Sequence, residues 1–182
     1  MILSDVVKRL FPEFDVQTIA EADEGWNIFA SSTQCVSPCP TCGQMSEHIH
    51  SQYTRYPADV PWGGYVLKLE LKVFRFFCKN RMCKQRVFCQ RHPHFLATHA
   101  QATQRFNESI QKIALEAGGE GGHRLGKALG IQRSADTYLR QVKQVPIPEI
   151  ESPRVVGIDD WAWRKGHHYG GCLTSVSRGA TR

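Results

Sequence analysis

Cys39-Pro40-Thr41-Cys42-Gly43 and Cys78-Lys79-Asn80-Arg81-Met82-Cys83 are the stretches from which the rest of this chain is read. A C-x-x-C turn followed by glycine lets two thiolates and neighbouring backbone N–H groups converge on one cation, and a second pair alongside completes a tetrahedral S4 shell. Zinc suits such a shell. Thirty-five residues lie between Cys42 and Cys78, so the ion would clip together the ends of a folded excursion rather than a tight loop. With all four positions filled by protein, the site is structural. Scattered core cysteines or a disulfide are the alternatives, disfavoured in a chain with no sign of export. Cys89, His92 and His94 stand near enough to replace one ligand, although Cys89 in Val87-Phe88-Cys89 reads more simply as a buried thiol. Cys35, just before the first pair, ends the preceding strand.

Composition narrows the class. With 182 residues and 41% hydrophobic side chains, the chain can form one medium domain or two to three small ones. The opening MILSDVVKRLF has Asp5, Lys8 and Arg9 where a secretory signal needs an apolar core, and no run reaches membrane-spanning length. A cytoplasmic protein with no membrane partner is expected. The net charge of +6 is unevenly spread: residues 1–34 carry two basic and six acidic side chains, whereas residues 53–91 carry nine basic against two acidic. The basic cluster wraps the second cysteine pair. Arg75, Lys79, Arg81, Lys84 and Arg86 would neutralise phosphates and release their counterions, the sequence-independent part of nucleic-acid affinity.

Ahead of the cysteines, apolar residues at 2, 3, 6, 7 and 10 have helical spacing, and 15–22 and 26–32 read as strands joined by Asp23-Glu24-Gly25. Residues 1–34 are therefore expected as a helix and hairpin, and 35–95 as a β-rich zinc module. Between the pairs, HIHSQYTRY and YVLKLELKVFRFF read as strands flanking a loop with Pro57, Pro61 and Gly63-Gly64. Tyr65, Leu67, Leu69, Leu71 and Val73 alternate with charged residues, and the pattern slips by one at Phe74. A bulge there would turn Cys78 toward the metal. His48 and His50 are expected on the strand surface.

From Thr103 the period becomes helical. Phe106, Ile110, Ile113, Ala114 and Ala117 form one stripe, Thr103 is an N-cap, and Gly118-Gly119 stops the helix. A short helix follows with Leu125, Ala128 and Leu129 inward and Gly130 at its end. Ser134 caps a third, in which Ala135, Tyr138, Leu139 and Val142 share a face. Over 103–144 this is the plan of a helix-turn-helix. Its outward set is Arg133, Asp136, Thr137, Arg140, Gln141 and Lys143; Arg140 and Gln141 suit base edges, Ser134 and Lys143 phosphates. A three-helix packing unit with a polar outer face is the plainer alternative. The proline-rich span 145–154 reads as a linker, and 155–182 opens a new unit in which the apolar run Val155 to Ile158 delivers Asp159 and Asp160 at its end.

Taken together, CPTCG, HSQYTRYPADVPWGG, FRFFCKNRMCKQRVFC, GGHRLGKALGI with SADTYLRQVK, and GIDDWAWRKGHHYG resemble insertion-sequence transposases of the ISL-three family over roughly Cys35 to Gly170. The resemblance implies an α+β chain: a zinc-binding N-terminal module, a helix-turn-helix, and the start of a ribonuclease-H-like DDE catalytic domain. It implies double-stranded DNA as partner, at the terminal inverted repeats of the element, with self-association or pairing with full-length transposase beside it and a place at the nucleoid. By position Asp159 matches the first catalytic carboxylate, with Asp160 second in rank. Such a domain uses three carboxylates to hold two Mg2+ ions, and here the family pattern breaks off at GGCLTSVSRGATR. The expectation is a truncated transposase that binds DNA without completing catalysis; a regulator competing with the intact enzyme is the alternative.

Overall fold

The structure is a computed structural model and describes residues 3–23, 25–146, 156–164 and 168–175; for 3–5 and the last two spans the backbone alone is described. Glu24 of the expected turn and most of the expected linker, from Ile147 on, lie outside the described residues. Two units are distinct along the chain, Met1–Val145 and Pro146–Arg182.

In the first unit, α1 (Leu3–Leu10) leads into β1 (Phe14–Ala22) and β2 (Gly25–Ser32), an antiparallel hairpin. β3 (Ser37–Pro38) and β4 (Met45–Ser46) frame the first cysteine turn, followed by β5 (Ile49–Arg55), β6 (Val66–Phe77) and β7 (Val87–Cys89). The strands other than β3 and β4 make one sheet in the order β1-β2-β6-β5, with β7 also on β6. The central strand is β6. It pairs in parallel with β2 over Val66–Lys72 and antiparallel with β5 over Leu71–Phe76. Because β2 belongs to this sheet, the N-terminal hairpin and the zinc module share one sheet instead of dividing at residue 34.

Alternation in β6 decides which side is core. Leu67, Leu69, Leu71 and Val73 are buried while Lys68 and Lys72 are exposed, as the period of two requires. Tyr65 precedes the strand and is exposed. The buried set packs with Ile28 and Ala30 of β2, with Phe11 and Phe14 after α1, and with Phe95 and Leu96. Each such side chain is worth about 1.5–3 kcal/mol when withdrawn from water. Past Val73 burial passes to the other face of β6 with no extra residue on that strand: Arg75 is exposed, and Phe76 and Cys78 are buried in a second cluster. The extra residue sits on the partner strand, because Ile49 pairs with Phe76 and Ser51 with Arg75, leaving His50 as the bulge.

Where β2 ends, β7 takes over the same edge of β6, pairing over Arg75–Phe77. Buried Gln90 fills the junction. Its backbone N–H donates to the Phe74 carbonyl (2.9 Å), its Oε1 accepts from Phe74 N–H (3.2 Å), and its Nε2 donates to Ser32 Oγ (2.8 Å) and the Gln34 carbonyl (3.0 Å). Both backbone polar groups of Phe74 are thereby satisfied where the strand changes.

The helices follow: α2 (Gln104–Ala128) and α3 (Ala135–Val142). Thr103 caps α2 through its side-chain oxygen, which accepts from Phe106 N–H, and Phe106, Ile110 and Ala114 form the buried stripe. Gly118 adopts φ 68°, ψ −166°, so α2 is two helical segments meeting at a kink. Leu125 and Leu129, expected inward, are 46% and 49% exposed. The inward face of the second segment is instead Gly119, Gly122 and Gly126, which lie against Tyr138 and Leu139 of α3. Only a face without side chains lets the fully buried Tyr138 ring come so close.

A Cβ on Gly126 would stand 1.7 Å from Tyr138 Oη and 2.8 Å from Cζ. Gly126→Ala should therefore cost about 1–3 kcal/mol, measured by thermal melting. Tyr138→Phe in the same chain should recover part of that loss. Alone it should be neutral or stabilising, since the Tyr138 hydroxyl is buried without a hydrogen-bond partner. An unchanged melting point for Gly126→Ala would contradict this packing.

The helices are tied to the sheet by a buried ion pair. Asp59, in the loop between β5 and β6, accepts from Arg105 Nε (2.7 Å), from a second Arg105 nitrogen, and from Thr103 Oγ1 (2.6 Å). Arg105 also donates to the Leu10 carbonyl (2.9 Å) and lies over the rings of Phe11 and Phe95. One guanidinium thus joins α1, the loop, the core and the start of α2.

The second unit is an antiparallel hairpin of β8 (Val156–Arg164) and β9 (His168–Ser175). The strand does not end at Ile158: Asp159 and Asp160 lie within β8, opposite Cys172 and Gly171. Trp161 and Trp163 extend the run of strand-forming residues beyond the carboxylates. The side chains of Asp159 and Asp160 lie outside the described residues. No helix among the described residues is long and apolar enough to cross a membrane.

Candidate metal centre

Two short turns from opposite ends of the β5–β6 excursion build the site. The first is the Cys39–Gly43 turn, closed by Gly43 N–H to the Cys39 carbonyl (2.8 Å) and by Cys39 N–H to the Gln44 carbonyl (2.9 Å). The second is Cys78–Cys83, closed by Cys83 N–H to the Asn80 carbonyl (3.1 Å) and by Met82 N–H to Asn80 Oδ1 (2.9 Å). Thr41 Oγ1 donates to Gln85 Oε1 (2.6 Å), and Ser46 Oγ to the Phe77 carbonyl (2.6 Å), stitching one turn to the other.

The four sulfur atoms lie within 4.8 Å of one another. Cys39 and Cys83 are 3.9 Å apart and Cys42 and Cys78 3.7 Å. Four thiolates about 2.3 Å from a tetrahedral zinc stand about 3.8 Å apart, so the spacing fits the ion. It excludes a disulfide, whose sulfurs would be about 2.05 Å apart. Cys39, Cys78 and Cys83 are buried with Phe76 and Phe88, and Cys42 is exposed. A hydrophobic floor therefore lies beneath the sulfurs.

Backbone N–H groups prepare part of the charge. The N–H of Gln44 brings the Cys42 thiol down to about 7, while burial pushes Cys78 up to about 12. Four thiolates in one pocket repel, and the countercharge they need is a divalent cation.

The other candidate ligands are elsewhere. Cys35 is exposed, and Cys89, expected as a buried thiol, is exposed too, because it falls on the outer side of β7 beyond buried Phe88. His92 is buried and its Nδ1 meets Glu13 Oε2 at 2.5 Å; burial holds its pKa below the ordinary imidazole range, against the pull of Glu13. His48, His50 and His94 are exposed and outside the sulfur cluster.

The basic residues read from the sequence surround this centre. Arg75, Lys79, Arg81, Lys84 and Arg86 are all exposed, and none is ion-paired among the described residues. Met82, 90% exposed, stands at the tip of the second turn. On the helices, Ser134, Asp136, Arg140 and Lys143 are exposed, while Arg133, Thr137 and Gln141 are half-buried. Arg133 lies over the Phe106 ring at 5.1 Å, and its carbonyl accepts from His123 Nδ1 (2.7 Å). The pattern of apolar residues could not show that these three line a groove against Tyr56, just after β5, and Lys68 of β6.

Comparison with curated proteins and with solved structures finds no match. Residues 36–83, about a quarter of the chain, match the family model described as the zinc-finger of transposase IS204/IS1001/IS1096/IS1165. That span takes in all four cysteines and closes on Cys83, so this part of the chain is similar to the zinc ribbon of those transposases and its sulfurs hold a structural Zn2+.

Proposed function

We propose that the chain is the DNA-binding N-terminal part of an insertion-sequence transposase, recognising the terminal inverted repeats of its element. The observation that carries this reading is the tetracysteine centre, similar to a transposase zinc ribbon, with exposed basic side chains flanking its second turn along the chain and not ion-paired among the described residues. Phosphate contacts from Arg75, Lys79, Arg81, Lys84 and Arg86 supply affinity without sequence preference. Preference is assigned to the helices. The second segment of α2, the turn at Gly130 (φ 84°) and α3 follow the helix-turn-helix plan, with Arg140 and Gln141 reading base edges and Ser134, Lys143, Arg133 and Thr137 fixing the docking. Asp159, on β8, is assigned as the first carboxylate of a DDE site, whose Mg2+ ions need further carboxylates.

Fluorescence anisotropy with a labelled terminal-repeat duplex and a random duplex tests this. The terminal repeat should bind more tightly. Arg140→Ala should lower that preference about tenfold or more, the value of about 1–3 kcal/mol for a bidentate base contact. Lys84→Ala should weaken both duplexes alike and lower the salt slope by about 0.9. Equal affinity of the unaltered chain for both duplexes would contradict terminal-repeat recognition.

A further inference from the structure

Beside the zinc turns, the margin of the core-side face of β5 and β6 and the loop after β7 enclose a cavity of about 450 Å³. Arg55, Arg75 and Arg91 all line it, and among the described residues no carboxylate does. Neither ion pair found among the described residues involves any of the three. Two of them are held in place. Arg55 donates to the Ala100 carbonyl (2.6 Å), and Arg75 lies over the Tyr53 ring at 4.7 Å. Register sets their spacing, since Arg55 and Tyr53 point to one side of β5, and Arg75 pairs with Ser51 across the ladder and with Cys89 of β7.

Three guanidinium groups around one concavity repel one another unless an anion enters between them. The planar N–H fork matches the oxygens of a phosphate, and partial enclosure strengthens each contact relative to open solvent. Tyr53, whose pKa burial raises, and Gln101 add polar side chains to the lining. The cavity is open on one side and continues to Pro40 and Gln85 of the zinc turns, so a bound phosphate can remain part of a longer chain.

We propose that this cavity is a phosphate-binding pocket in which Arg55, Arg75 and Arg91 hold one backbone phosphodiester of the DNA engaged by the zinc module. The source of the phosphate rests on the functional reading above; the anion chemistry of the pocket does not.

The test compares the unaltered zinc-loaded chain with the double variant Arg75→Gln, Arg91→Gln, leaving Arg55 to support the loop. In a duplex arm, affinity for the terminal repeat is measured across KCl concentrations. The double variant should bind roughly tenfold more weakly at moderate salt, with a slope smaller by about 0.9 for the one phosphate lost. In a second arm, inorganic phosphate is titrated while the amide resonances of Tyr53, Cys89 and Gln101 are followed by NMR; they should shift in the unaltered chain and stay fixed in the variant. Equal slopes and equal phosphate shifts in both proteins would overturn the pocket while leaving DNA binding intact. Phosphate shifts confined to the unaltered chain, without duplex binding, would keep the pocket as a site for free phosphate and sink the DNA reading. Absence of both would sink both. Should the double variant lose its zinc, Arg91→Gln alone gives the same comparison, because Arg91 is exposed.

Discussion

Replacing Cys78 by serine should leave the chain without zinc and open the whole cysteine module. Cys78 is buried against Phe76 and Phe88, its sulfur stands 3.7 Å from that of Cys42, and its backbone N–H donates to the Arg86 carbonyl (2.8 Å). A serine hydroxyl has no useful affinity for Zn2+, and the three remaining thiolates would crowd without a countercharge. Structural zinc contributes about 10–16 kcal/mol to the folding of zinc-finger peptides at neutral pH, so no packing available to these short turns replaces it. The loss should be regional. Ile28, Leu67, Leu69, Leu71 and Val73 belong to a separate core that contains no cysteine, and they should hold β1, β2 and most of β6 together. Hydrogen exchange read residue by residue should show fast exchange over 37–46 and 77–89, with the amides of Leu67–Val73 still protected. Cys89→Ser, at an exposed thiol outside the cluster, should keep one zinc per chain.

The second large effect is expected at Asp59. Its carboxylate is buried and satisfies Arg105 and Thr103 together, so Asp59→Ala removes an ion pair, a side-chain acceptor and the support of the α2 cap at once. Breaking a buried pair from one side costs about 3–5 kcal/mol because the partner charge stays behind. Arg105 keeps partial contact with water, its side chain being 28% exposed, which places the expected loss near the lower end, about 3 kcal/mol. Urea denaturation checks the figure. Asp59→Ala combined with Arg105→Met should lose less than Asp59→Ala alone, since no unpaired guanidinium remains over Phe11 and Phe95. A double variant that merely adds the two single losses would contradict the coupling.

The cysteine ligands, the strand alternation and the helix starts were legible because each is written in local spacing. Two thiolates three residues apart, apolar residues every second position in β6, and Thr103 ahead of a helical stripe all carry their signal within a few positions. Long-range partners were not. Nothing near Gly25 says that β2 will lie parallel to β6, and nothing near Asp59 names Arg105, because those pairings depend on how distant segments meet. The pattern shift past Val73 predicts a bulge on β6, whereas the bulge falls at His50 of β5; the shift arises because burial passes from the face of Leu71 and Val73 to the opposite face of Phe76 and Cys78, where the cysteine cluster packs. Apolar spacing places Leu125 and Leu129 on the inner face, yet both are half exposed. Close approach of Tyr138 to Gly122 and Gly126 won instead, and in hindsight Gly119, Gly122 and Gly126, spaced three and four apart, were the signal. The arginine cavity is half visible: Arg55, Arg75 and Arg91 all belong to the basic cluster over 53–91, but that they share one concavity depends on how β5, β6 and the loop after β7 fold.

X-ray absorption at the zinc edge on the purified chain tests the cysteine centre most directly. Four sulfur neighbours at about 2.3 Å, and no nitrogen or oxygen in the shell, are expected from Cys39, Cys42, Cys78 and Cys83. A shell with a nitrogen at about 2.0 Å would place a histidine at the metal and contradict the four-sulfur centre.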